Sequence, residues 1–418
     1  MIRRATIVAA MLWTLAVTCS RAARLPNDFS KEHWFIDYRF GFVKRGLVGT
    51  VVWLATAVAR LRPSERVIQV LSVGMFLLFC AALLWLCLRI LRRFNWAGGP
   101  ALALLVFLSS PFVVMSAHLI GYYDVIIIVL TIVSLALLFR NRIWSAAIVQ
   151  TISILVHENA LLIGFPPFIL AWRLQRTGRP ASRQLSLAPL LPLAAFAAII
   201  LAQAAAPHSL ERSLTGYLST YPFLAPSIAA VRVPHWITIT FFDSYTLHQG
   251  HFQERILSQP LITLVLPTLL AILAAVFEAF PIGALSVDSL LILGTCLVPE
   301  AMHVMAWDTA RIWTYTIIDA LFVWWAYAEL GTARESDSQL MEIVCLIVLL
   351  VNAIAATPLM DGLRDRFEVT TRLLLYAPAF AAASSIAISS PSAAREPDCP
   401  RSDGSALPKG SKTSPTQT

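Results

Sequence analysis

The chain reads as all-α, a polytopic integral membrane helix bundle. It has about 12 transmembrane or re-entrant helices, with an interfacial helix in the first outer loop. Three observations carry this. Hydrophobic residues make up 58% of the 418 and charged residues 13%, about half the roughly 25% charge of a soluble domain. Mean hydropathy is +0.71. The apolar residues come in long runs separated by short arginine clusters, the pattern of spans joined by cytoplasmic loops.

Taken in order, Arg3 and Arg4 precede an apolar run over 5–19. It reads as an uncleaved first span, because Ser20-Arg21-Ala22-Ala23 is a poor small-residue cleavage site. A polar segment, 27–49, follows. The next apolar run, 47–59, is closed by Arg60 and Arg62 and is too short to cross, so it reads as a helix lying at the interface. Further runs occupy 67–90, 101–119, 125–139, 143–156, 160–172, 187–206, 261–277, 282–304, 312–327, 343–356 and 373–388. The pair 143–156 and 160–172 is short enough to be re-entrant, meeting at His157-Glu158-Asn159. The transmembrane region thus covers 1–390, with outer loops 21–66 and 207–260. The Ser-, Pro- and charge-rich stretch 391–418 reads as a disordered cytoplasmic tail.

Orientation follows from the arginines. With Arg3 and Arg4 inside, Arg89, Arg92 and Arg93, then Arg140 and Arg142, then Arg173, Arg176, Arg179 and Arg183 all fall inside, provided 47–59 does not span. Both termini are then cytoplasmic. The formal charge of +8 is explained by these loops and is no nucleic-acid signature. Four of the six cysteines, Cys80, Cys87, Cys296 and Cys345, lie in apolar runs as small hydrophobes.

With that parity, polar residues gather on the outer face. Asp28, Asp37, Lys44 and Arg45 lie in 27–49, Asp124 follows Gly121-Tyr122-Tyr123, His157 and Glu158 form a turn, and Asp308 and Arg311 are spaced i, i+3. Each has a plain structural reading. Asp28 and Asp37 suit loop solvation or capping, and Asp124 suits the first turn of a helix. Lys44 and Arg45 suit interfacial snorkelling, and Asp308 with Arg311 suits a helix-surface pair. The functional reading is stronger for the set than for any member, because ionisable groups at span ends mark sites. No phosphate-binding glycine loop, dinucleotide fingerprint or nucleophile elbow is present. His157-Glu158 lacks the second histidine of a helical zinc site. A divalent metal on His118, Asp124 and Glu158 is conceivable, but no ligand spacing supports it, and no cofactor is otherwise implied.

These features resemble the GT-C class of polytopic membrane glycosyltransferases. The resemblance rests on an acid in the first outer loop (Asp28 or Asp37), on Ser109-Ser110-Pro111 leading to Gly121-Tyr122-Tyr123-Asp124, and on the His157-Glu158 turn. It also rests on Trp307-Asp308-Thr309-Ala310-Arg311, similar to the Asp-x-x-Arg of bacterial polysaccharide-synthesis proteins. The resemblance implies transfer of a sugar from a polyprenyl-phosphate donor to a lipid-linked or surface glycan acceptor, on the outer face of a bacterial inner membrane. On that reading Asp37, with Asp28 as the alternative, is the base. Lys44, Arg45 and Arg311 meet the phosphate, and Asp124, His157, Glu158 and Asp308 position substrates. Asp28 has no adjacent acid of the kind the class usually shows. Two other readings stand beside this one, a lipid-linked glycan flippase and a polysaccharide polymerase or ligase.

Overall fold

The structure is a computed structural model. It describes residues 2–388 apart from 62, 178–186, 208, 225–232, 252–253, 255–258, 284, 307, 334–337, 361–362 and 364. The expected tail, Arg179, Arg183 and Trp307 therefore lie outside the described residues.

Every regular element among the described residues is helical. In chain order these are α1 (Ile2–Ser20), α2 (Asp28–His33), α3 (Gly46–Val58), α4 (Glu65–Arg93), α5 (Gly98–Leu108), α6 (Pro111–His118), α7 (Asp124–Phe139), α8 (Ile143–Val156), α9 (Ala160–Ile163) and α10 (Phe165–Thr177). Then come α11 (Leu190–Ala204), α12 (Leu210–Leu218), α13 (Val233–Thr238), α14 (Phe241–His248), α15 (Gln259–Ala279), α16 (Val287–Leu297), α17 (Thr309–Leu330), α18 (Gln339–Ile354) and α19 (Val369–Ile388). Side-chain caps set several starts. Asn27 accepts from Ser30 N, Ser286 from Ser289 N and Ser338 from Met341 N, satisfying amides the helices leave open.

Five helical segments are long and apolar enough to cross a membrane: Ile2–Ser20, Glu65–Arg93, Gly98–His118, Val287–Val304 and Val369–Ile388. The architecture is that of a helical membrane protein. The difference from about 12 spans has a physical cause. α7, α8, α11 and α18 have 16, 14, 15 and 16 residues, below the roughly 17-residue minimum, and α17 carries Arg311, Asp319 and Glu329. Two of the five counted segments are themselves interrupted. The 101–119 run splits at Pro111, which starts α6 because it cannot donate to the preceding turn. The 282–304 run begins only at Val287 and tightens into a 3₁₀ helix over Val298–Val304.

α17 is the axis of the bundle. Residues 314–328 are all buried, and α15, α10, α16 and α4 pack around it. The rim presents large apolar side chains outward: Val70, Leu77 and Leu78 of α4, Leu190 and Leu201 of α11, Leu374 of α19. A soluble protein rarely exposes so continuous an apolar belt; acyl chains suit it. The ion pairs lie at the two ends, whereas Asp319 is buried midway along α17. At one end Glu329 takes Arg89 and Arg93, and Arg173 pairs with Asp288 at 3.2 Å. At the other end, Arg21 Nε donates to Asp365 Oδ2 at 2.6 Å, while Arg21 and Arg372 also cap the carbonyls of residues 352–355. This buried triad ties the end of α1 to the α18–α19 connection. The same end carries the site.

Candidate functional site

Segment 27–49 is not a free loop. α2 occupies its first part, and a 3₁₀ turn over Tyr38–Phe40 leads to α3. Close backbone contacts fix it. A Cβ on Gly49 would lie 1.9 Å from the Ile36 carbonyl oxygen, and Gly121, at φ 98°, faces Pro26 and Ser30. Trp34 Nε1 donates to Gly121 O at 2.8 Å, and Tyr123 OH to His33 O at 2.6 Å. The segment and the Gly121-Tyr122-Tyr123 turn are one packed unit.

Lys44 and Arg45 lead from that unit into α3. Arg45 is left-handed, with φ 62°, a conformation costing roughly 1–3 kcal/mol in a residue with a side chain. It turns the guanidinium onto Glu158, where Nη2–Oε1 is 2.5 Å and Nε approaches both oxygens at 3.1 and 3.2 Å. His33 supports it from behind. The Phe29 carbonyl can only accept, so His33 Nδ1 donates to it at 2.8 Å, and Nε2 accepts from Arg45 Nη1 at 3.2 Å. Burial, then Arg45, pushes the His33 pKa down to about 3, so this imidazole is neutral and fixed in one tautomer.

Glu158 follows His157 at the α8–α9 turn. Burial, the largest single influence, would raise its carboxyl, but Arg45 by charge and hydrogen bond, together with its other neighbours including Lys44, outweighs that and holds it well below the usual range. His157 is likewise neutral, its pKa lowered to about 3 by burial and by Arg45. Its Nδ1 accepts from Asn159 N at 3.1 Å, so its 3.5 Å approach to Glu158 is a contact rather than an ion pair.

On the other wall, Asp124 in the first turn of α7 accepts from Tyr315 OH and, at 3.4 Å, from Arg311 Nη1. Arg311 Nε also lies 2.9 Å from Asp308 Oδ2. That approach is an ion pair without hydrogen-bond geometry, since Nε has no directed acceptor.

A cavity of about 430 Å³ lies between these walls, within the usual range for a small-molecule site. Lys44, Arg45, Arg311, Glu158 and Asp308 line its polar side. Met302, Met305, Met360, Phe196, Leu161 and Leu162 line its apolar side. α14 closes it with Phe241, Ser244 and His248, pinned by Ser244 Oγ donating to Met305 O at 2.8 Å. Lys44 Nζ donates to Ile239 O at 3.0 Å and has no carboxylate within ion-pair distance among the described residues. Burial lowers its pKa to about 8.

The structure therefore brings together five of the nine residues singled out in the sequence, and sets Asp124 and His157 just behind them. The two aspartates of the first loop stand apart. Asp37 is spent on Arg39, accepting from its backbone N and Nε at 2.9 Å and its Nη2 at 2.7 Å. Asp28 opens α2 and takes Lys31 Nζ at 3.1 Å, Lys31 also meeting Glu65. Neither lines the cavity. For a metal, no group of three His, Cys, Asp or Glu side chains among the described residues could hold one; of the set considered, Asp124 and Glu158 already face arginines. Sequence reasoning missed His33, Tyr315 and the methionines. The i, i+4 spacings of Phe29 with His33 and of Arg311 with Tyr315 were the only signals available. Compared with known protein families, curated proteins and solved structures, the chain matches none.

Proposed function

We propose that this chain is a membrane glycosyltransferase moving a sugar from a polyprenyl phosphate to a hydroxyl of a lipid-linked or surface glycan. The observation that carries this reading is the two-sided cavity, in which three cations and two carboxylates face an apolar wall. That is the chemistry of an ionic headgroup on a long isoprenoid. The acceptor oxygen attacks the anomeric carbon, and the bond from that carbon to the phosphate oxygen breaks with its electron pair on the phosphate. The acceptor proton passes to a carboxylate. Asp308 takes that role here. Its side chain is 16% exposed against 8% for Glu158, and Glu158 is held by Arg45 through both oxygens. Lys44, with Arg45 and Arg311, stabilises the leaving phosphate. The arginine parity of the loops supports a reading in which this end of the bundle faces outward, with both termini cytoplasmic, as the reaction on the outer face of a bacterial inner membrane requires.

Purified protein given a radiolabelled polyprenyl-phosphate sugar and a glycan acceptor tests it. Asp308→Asn should lower transfer by at least about 100-fold, the usual weight of a general base. Full activity in both Asp308→Asn and Glu158→Gln would sink the assignment. Saturable movement of a lipid-linked sugar across vesicles, with no covalent product, would replace it with the flippase reading. A polymerase or ligase led by arginines gains from one observation: Asp28 and Asp37 lie off the cavity while Arg45 and Arg311 line it. Loss of transfer in Arg45→Gln and Arg311→Gln with Asp308→Asn intact would select that reading.

A further inference from the structure

We infer that Arg39 is a binding site for the phosphodiester headgroup of an anionic membrane lipid, outside the cavity and independent of the transferase reading. Arg39 differs from an ordinary surface arginine because its plane is clamped. Nε and Nη2 engage Asp37, which is 1% exposed, and Nη2 also donates to Tyr217 OH at 2.8 Å. The guanidinium carbon lies 4.8 Å from the Trp53 ring and 5.2 Å from the Tyr217 ring. A guanidinium has five N–H donors, and these contacts use the three on Nε and Nη2. The two on Nη1 bond nothing among the described residues, and the side chain is 40% exposed. On the Nη2 side of the same fork stands a second polar group, the Tyr217 hydroxyl, itself 2.8 Å from Tyr221 OH.

The neighbourhood identifies the ligand. Trp53 belongs to α3, whose inner stripe Val48, Val52 and Thr56 is buried. Its opposite stripe, Val51, Leu54 and Val58, is exposed at 56%, 49% and 84%, with Phe42 and Leu61 alongside. A helix apolar on both faces at this end of a membrane bundle meets acyl chains with the outer one. Tryptophan and arginine at the border of such a face mark the headgroup level, where the anion is a phosphodiester. The planar fork of arginine suits that group. A sugar is disfavoured, because the guanidinium already covers the faces of Trp53 and Tyr217 that would stack on a ring. Asp37 acts as a positioning residue beneath the site.

Native mass spectrometry of the purified full chain, in detergent mixed with phosphatidylglycerol and phosphatidylcholine, tests this. Wild type should retain phosphatidylglycerol. Arg39→Gln should bind it about tenfold more weakly, the equivalent of one charge-assisted hydrogen bond. Tyr217→Phe, which keeps the packing, should show a smaller loss and decides the matter if Arg39→Gln does not fold. Unchanged retention in both variants overturns the proposal. So does displacement of the lipid by millimolar inorganic phosphate, which would mark a free-anion site, or by a neutral oligosaccharide, which would mark a glycan site.

Discussion

Lys44 is the cation whose behaviour in the cavity depends most on pH. Burial brings its pKa down to about 8, against about 10.4 in an unfolded chain. Between those values the unfolded state binds more protons, so the contribution of Lys44 to stability rises with pH. Its charge, and its hold on a phosphate, falls over the same interval. The donor KM should therefore rise as pH passes 8, and Lys44→Arg, which stays charged, should abolish that rise. A KM profile with the same break in Lys44→Arg would place the titration elsewhere. Arg45 makes a different demand. Arg45→Gln leaves the Glu158 carboxylate buried and unpaired, which costs about 3 kcal/mol or more. The double variant Arg45→Gln/Glu158→Gln should recover much of that stability in thermal unfolding without recovering transfer. Asp28→Asn, by contrast, removes only a half-exposed partner of Lys31 and should leave transfer at the wild-type rate.

At the scale of elements, the site depends on how α3 is docked. α3 begins at the left-handed Arg45 and passes Gly49 against the Ile36 carbonyl. A methyl group there meets backbone, which cannot rotate away. Gly49→Ala should lower stability by about 3 kcal/mol, the upper range for overpacking, and raise donor KM by misplacing Lys44 and Arg45. An unchanged melting temperature would show that the contact yields. The position of α3 was legible in the sequence to within one residue, because a 13-residue apolar run between basic residues has few alternatives. The role of Asp37 was not legible. Its place in the first outer loop suggested a base, but the i, i+2 reach of Arg39 onto a buried carboxylate is short-range geometry that composition does not reveal. The same holds for the pairing of Arg45 with Glu158, 113 residues apart, and of Arg311 with Asp124. Sequence could place these residues on one face and could not choose their partners.

The whole molecule turns on one asymmetry, with arginine-bound Glu329 at one end of the bundle and the cavity at the other. The alternation of basic loops anticipated that the polar segments 27–49, His157-Glu158 and Asp308–Arg311 would meet, and they do, around one cavity. The short helices α7 and α8 explain why a count of runs exceeds the five segments long and apolar enough to cross. α8 packs on α7 and α11; short helices held by neighbouring helices satisfy their backbones internally, and their depth is set by those neighbours rather than by length. Orientation is then the remaining quantity, and it is measurable. In a background with the native cysteines replaced, Glu211→Cys and Thr220→Cys report the cavity end, while Thr332→Cys reports the opposite end; all three positions are exposed. An impermeant maleimide added to intact cells should label the first two and spare Thr332→Cys until the membrane is opened. Labelling only at Thr332→Cys would turn the cavity toward the cytoplasm, away from the outer face that the proposed reaction requires, and the proposal would have to be withdrawn.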